Sequence, residues 1–128
     1  MENVLKNIIN KKKEKIKIFK KKHPENKLLE DIKNINNFVD FKAQIKRRNS
    51  EHKISIIAEI KKASPSAGEI VKNFSPLNIA KIYIENGASF LSVLTEEDFF
   101  LGKLDYIKNI KKNFKIPILC KDFFIDTY

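Results

Sequence analysis

A chain of 128 residues has room for one modest hydrophobic core, and its 42% apolar content argues against global disorder. The formal net charge of +10 raises nucleic acid as a partner, yet of 26 basic residues only Arg47 and Arg48 are arginine, the type that bidentate base and phosphate contacts favour. A solvated lysine surface is the expectation, and nucleic-acid binding is disfavoured. Cys120 is the single cysteine, so no intrachain disulfide forms, and no apolar run approaches the ~20 residues of a membrane span. With no secretory signal at the N-terminus, a cytoplasmic protein without a membrane partner is expected.

Residues 1–48 hold most of the lysine, no glycine and one proline, Pro24. Val4, Leu5, Ile8 and Ile9 recur at helical spacing, and Ile16 and Phe19 extend that face. The runs Lys11–Lys13 and Lys20–Lys22 would suit an anionic membrane surface, but a helix packed on a neighbouring domain is the favoured reading. Pro24 interrupts the pattern, and a second helical stretch is predicted over approximately Lys27–Arg47.

From Lys53 the character changes. Ile54-Ser55-Ile56-Ile57-Ala58-Glu59-Ile60 is short, β-branched and apolar, as a strand covered on both faces requires. Ser64–Gly68 reads as a loop. Ser75-Pro76 offers an N-cap followed by proline at the first helical position, and Gly87 a C-terminal stop. Between them Leu77, Ala80, Tyr83 and Ile84 mark a helical face. A second strand is predicted at Phe90–Leu94, a helix over approximately Lys103–Asn113, and a third strand at Ile116–Cys120. Alternating strands and helices with short connections indicate a parallel α/β sheet or barrel. No glycine-rich phosphate fingerprint follows the first strand, which argues against a dinucleotide-binding sheet.

Side-chain parity locates candidate chemistry. Ile54, Ile56, Ala58 and Ile60 share one face of the first strand; Ser55, Ile57, Glu59 and Lys61 share the other, which becomes charged at its C-terminal end. Pro117, Leu119 and Lys121 repeat that arrangement in the third strand. Barrel enzymes carry catalytic groups at the C-terminal ends of their strands. Two strands ending in charge at matching positions point to a shared site for an anionic substrate, whereas either lysine alone would read as snorkelling to solvent. Cys120, in an apolar run away from His23 and His52, reads as a small buried hydrophobe and not as a nucleophile.

Ile57-Ala58-Glu59-Ile60-Lys61-Lys62-Ala63-Ser64-Pro65-Ser66 resembles the first-strand motif of indole-3-glycerol-phosphate synthase. Leu91–Gly102, with its Leu94-Thr95-Glu96-Glu97-Asp98-Phe99-Phe100 core, resembles the second-strand segment of that family, and Pro117-Ile118-Leu119-Cys120-Lys121-Asp122-Phe123 the third. Three motifs in the correct order are far more specific than one. The resemblance is close over residues 49–128 and looser over 1–48, where the family carries a helical extension. It implies a partial (β/α)8 TIM barrel: an N-terminal helical extension, 1–48, and the first strand–helix units, 49–128.

The resemblance also implies a reaction: ring closure, decarboxylation and dehydration of an anthranilate-derived ribulose phosphate in tryptophan biosynthesis, without metal or organic cofactor. Lys121 matches the family's general acid. Lys61 matches a substrate-binding lysine that assists the later steps, and Glu59 the carboxylate beside it. Phe100 and Phe123 match aromatics lining the pocket for the substrate ring. Ser64 is a candidate substrate contact, equally readable as a turn residue. The family's general-base glutamate and phosphate cradle lie on later strands. A complete barrel takes about 250 residues, so the 128-residue chain alone is expected to be inactive. The alternative from another class is a non-catalytic remnant, or a lysine-rich module holding nucleic acid or an acidic partner.

Overall fold

The computed structural model describes residues 2–128. Three helices come first, α1 (Glu2–Lys22), α2 (Glu25–Lys33) and α3 (Phe41–Ser50). There follow β1 (Ile57–Ile60), a hairpin of β2 (Ala63–Ser64) and β3 (Gly68–Glu69), α4 (Pro76–Glu85), β4 (Phe90–Leu94), α5 (Leu104–Asn113) and β5 (Ile118–Lys121). The chain divides into two compact units, one holding the residues up to Phe38 together with Phe123–Tyr128, the other Val39–Asp122. Among the described residues no helix is long and apolar enough to cross a membrane.

In the first unit α1 and α2 meet at Pro24, whose ring cannot continue α1 and whose carbonyl opens α2 by accepting from Lys27 and Leu28. The C-terminal segment is tied to α1 by an ion pair from Lys20 to Asp126 at 2.8 Å and by the Tyr128 hydroxyl, which donates to the His23 carbonyl at 2.8 Å.

The predicted helix over Lys27–Arg47 is two helices in the structure. Asn34 ends α2, where the amides of Asn34 and Ile35 turn back to the carbonyls of Asp31 and Ile32, and Asp40 starts α3 by accepting from the Ala43 amide at 2.8 Å. Asparagine and aspartate compete with the backbone for hydrogen bonds, which the apolar spacing of the segment conceals. His52 closes α3 with φ 55°, a left-handed position usually taken by glycine, while Lys53 donates to the Arg48 carbonyl at 2.9 Å. The Arg48 guanidinium then bonds the Ile54 carbonyl at 2.7 Å and Ser55 Oγ at 3.3 Å. Those contacts hold residues 54–55 as a lead-in, so the first strand begins at Ile57, with Ile54 83% exposed.

The second unit is built on a parallel sheet of order β1-β4-β5, with α4 crossing from β1 to β4 and α5 from β4 to β5. This is the opening of a (β/α) barrel, and β4 occupies the residues predicted for it. Its five residues are all buried. On the helix-covered face Ala58 pairs with Leu91 and Leu91 with Ile118; Ile60 pairs with Val93. Ile60, Leu91, Val93, Ala80 of α4 and Ile110 of α5 form one core cluster with Ile116. Gly87 at φ 95° ends α4, and the amides of Gly87 and Ala88 return to the carbonyls of Ile84 and Tyr83, a closing turn that a side chain at Gly87 would strain.

The opposite face is the one that a complete barrel turns inward. At its start Phe90 is fully buried, its ring 4.6 Å from that of Phe41 in α3. On the flanking strands Ile57 and Leu119 are 46% and 47% exposed on this face.

Candidate active site

The inward face becomes polar towards the strand ends. Register sets Glu59 of β1 beside Ser92 of β4, and Ser92 beside Leu119 of β5; one step of the pleat further, Leu94 stands beside Lys121. Neighbouring strands lie about 4.8 Å apart, so a group on β1 reaches one on β5 only by arching over β4. The serine at position 92 leaves room for that. Above it the Lys121 ammonium hydrogen-bonds Glu59 Oε2, and the Lys61 ammonium lies 3.4 Å from Glu59 Oε1. The carboxylate is thus held between two lysines, Lys61 directly after β1 and Lys121 at the end of β5. Ser92 Oγ is buried without a hydrogen-bond partner beneath this bridge.

The three charged groups that parity placed on one face therefore meet. Their side chains remain 29% (Glu59), 34% (Lys61) and 51% (Lys121) exposed, so the cluster is reachable from solvent. Burial pushes the Glu59 carboxyl upward, but the hydrogen bonds and positive charges of Lys121 and Lys61 outweigh it and hold the group below its ordinary value of 4.5. A carboxylate depressed in the folded state adds stability above its unfolded value and loses it as pH falls through the folded one. Acid unfolding of the chain should therefore steepen below pH 4.5, and Glu59→Gln should flatten that limb relative to the unmodified protein. Superimposable acid limbs would remove the ion-pair cluster as the cause.

Ser64 lies in β2, where its Oγ accepts from the Ala67 amide at 3.2 Å and sits 3.4 Å from Ser66 Oγ. The hydroxyl thereby organises the β2–β3 turn, and the predicted loop is this short hairpin. Phe100 is half-buried in the segment that follows β4, at the same end of the sheet as the charged cluster. Phe123 falls in the unit formed with α1 and α2. Cys120 is part-buried, with Sγ 3.5 Å from Thr95 Oγ1. Among the described residues no group of three His, Cys, Asp or Glu could hold a metal.

Two neighbours of the site were not singled out in the sequence. Thr95, 2% exposed, joins the ends of β4 and β5: its amide donates to the Lys121 carbonyl at 3.0 Å and its hydroxyl to Asp122 Oδ2 at 2.8 Å. These bonds fix the backbone from which Lys121 projects. Glu96 is 1% exposed and collects backbone amides of the following loop. The readable signal for both was polar residues directly after a predominantly apolar strand, where the chain must turn without losing hydrogen bonds.

The family model described as Indole-3-glycerol phosphate synthase matches residues 5–128. A relative of that name from Chlorobium phaeobacteroides is 43% identical over 122 residues, 95% of this chain and 46% of the relative. One from Alkaliphilus metalliredigens is 45% identical over 98% of this chain and 47% of its own length, and one from Polaromonas sp. 40% over 100% and 48%. The chain spans about half the length of the curated relatives it matches. Matched along nearly all its residues and carrying the parallel strands and charged rim described above, the chain belongs to the indole-3-glycerol phosphate synthase family.

Proposed function

We propose that these residues supply the first three barrel strands and the acid side of the active site of an indole-3-glycerol phosphate synthase. The enzyme is a carboxy-lyase that converts 1-(2-carboxyphenylamino)-1-deoxyribulose 5-phosphate to indole-3-glycerol phosphate in tryptophan biosynthesis. The observation that carries the reading is the bridge of Lys121, Glu59 and Lys61 at the C-terminal rim of the parallel sheet.

The chemistry asks for what this rim offers. As the ring carbon bearing the carboxylate attacks the sugar carbonyl, a carbon–carbon bond forms and the carbonyl oxygen needs a proton. Lys121 supplies it as general acid. Loss of carbon dioxide returns the electron pair to the ring, and departure of the new hydroxyl as water completes the indole. Lys61 holds the substrate's carboxylate and assists these later steps, and Glu59, bonded to both lysines, orients them and passes protons between them. Phe100 lines the slot for the flat ring, where apolar burial is favourable, and Ser64 is a further substrate contact. No cofactor is required by this sequence of steps.

The groups that would abstract the final proton and cradle the phosphate belong to later strands of the family's barrel. A complete synthase containing these residues should convert the carboxyphenylamino-deoxyribulose phosphate to an indole product, followed by its fluorescence. Failure to form indole with that substrate at any tested pH would overturn the assignment.

A further inference from the structure

We infer that Glu96 is a positioning residue: its buried carboxylate fastens the loop after β4 and so fixes the place of Phe100 at the rim. A carboxylate at 1% exposure is costly unless hydrogen-bonded, and three consecutive amides satisfy this one. Asp98 donates to Oε1 at 3.2 Å, while Phe99 and Phe100 donate to Oε2 at 2.7 and 3.1 Å. Successive backbone N–H groups pointing inward make a concavity that attracts anions, and here the loop's own side chain fills it.

The backbone closes the same ring. The Glu96 carbonyl accepts from the Gly102 amide at 2.7 Å, and a Cβ at Gly102 would stand 2.3 Å from the Leu94 carbonyl oxygen and 2.9 Å from that of Glu96. Leu101 takes φ 53° to make this return. Residues 95–102 are therefore wound around one carboxylate, and the Phe100 backbone is bonded to it directly. Glu96 touches no reacting atom in this account; it acts through Phe100. The consequence for substrate binding rests on the synthase reading above, whereas the fastening itself does not.

Amide hydrogen exchange and titration with anthranilate, the aromatic acid half of the proposed substrate, test this by heteronuclear NMR on the full 128-residue chain. Glu96→Ala should speed exchange at Asp98, Phe99 and Phe100 by about tenfold or more, each having lost a charged acceptor, with Leu91 and Val93 changed less than about threefold. Glu96→Gln keeps one acceptor oxygen, so Phe99 and Phe100, which share Oε2, should stay slow while Asp98 is released. A role limited to filling space would not separate adjacent amides in that way, and the glutamine variant decides the matter even where the alanine variant fails to fold. Anthranilate should shift the Phe100 amide of the unmodified chain and bind about fivefold more weakly to Glu96→Ala, because a loosened loop pays the ordering cost on binding. Equal exchange at the three amides in the unmodified protein and both variants would overturn the positioning role. Absence of any anthranilate response in the unmodified chain would count against the synthase reading, while the exchange pattern would still decide Glu96.

Discussion

Replacing Lys121 by alanine in the complete synthase is expected to lower kcat by about a thousandfold, the middle of the range for loss of a positioned general acid. KM should move little, since substrate carboxylate binding falls to Lys61 in this scheme. A second substitution separates chemistry from structure. Lys121→Arg keeps a positive charge for Glu59 Oε2 to accept from, so the ion-pair bridge and the fold should survive. The guanidinium does not release its proton near neutral pH, so turnover should stay low. Recovery of activity in Lys121→Arg would show that the position matters for its charge alone, and unchanged turnover in Lys121→Ala would remove it from the acid role.

The largest expected effect on stability comes from Phe90→Ala. Phe90 is fully buried at the start of β4 and packs on Phe41, the first residue of α3. Truncating a buried phenylalanine costs about 3–5 kcal/mol in lost transfer energy and residual cavity, and the tilted ring pair, worth about 0.5–1.5 kcal/mol, falls within that figure. Against total stabilities of about 5–15 kcal/mol for ordinary domains, such a loss leaves the sheet barely folded. Urea unfolding should show a lower midpoint at unchanged slope. A loss below about 1 kcal/mol would mean that Phe41 or its helix collapses into the space, and that α3 is loosely held.

How legible these features were in the sequence depended on what enforced them. Phe90–Leu94 was located to the residue because a strand buried on both faces is apolar at both parities, here with small Ser92 as the one polar residue. Ile54 and Ile56 carry the same composition, yet they precede β1 and stand exposed, because Arg48 has engaged the Ile54 carbonyl and Ser55. The break between α2 and α3 was hidden for a related reason: Asp40 works as a cap through one side-chain hydrogen bond, which hydrophobic spacing does not register.

For the candidate site, alternation along each strand already assigned Glu59, Lys61 and Lys121 to one face, since side chains in extended backbone must alternate whatever the surroundings. The alternation of strands and helices followed equally from local chemistry and indicated a parallel α/β sheet or barrel, between which the resemblance of the three strand motifs chose the barrel. Whether the three groups could touch was another matter. That depended on β4 pairing with both β1 and β5 in a register that puts small Ser92 between Glu59 and Leu119, and on Thr95 holding the end of β5. Pairing register and the burial of Glu96 are set by contacts between residues far apart in the chain or folded back across a loop. Local pattern therefore fixed direction, and tertiary packing alone decided distance.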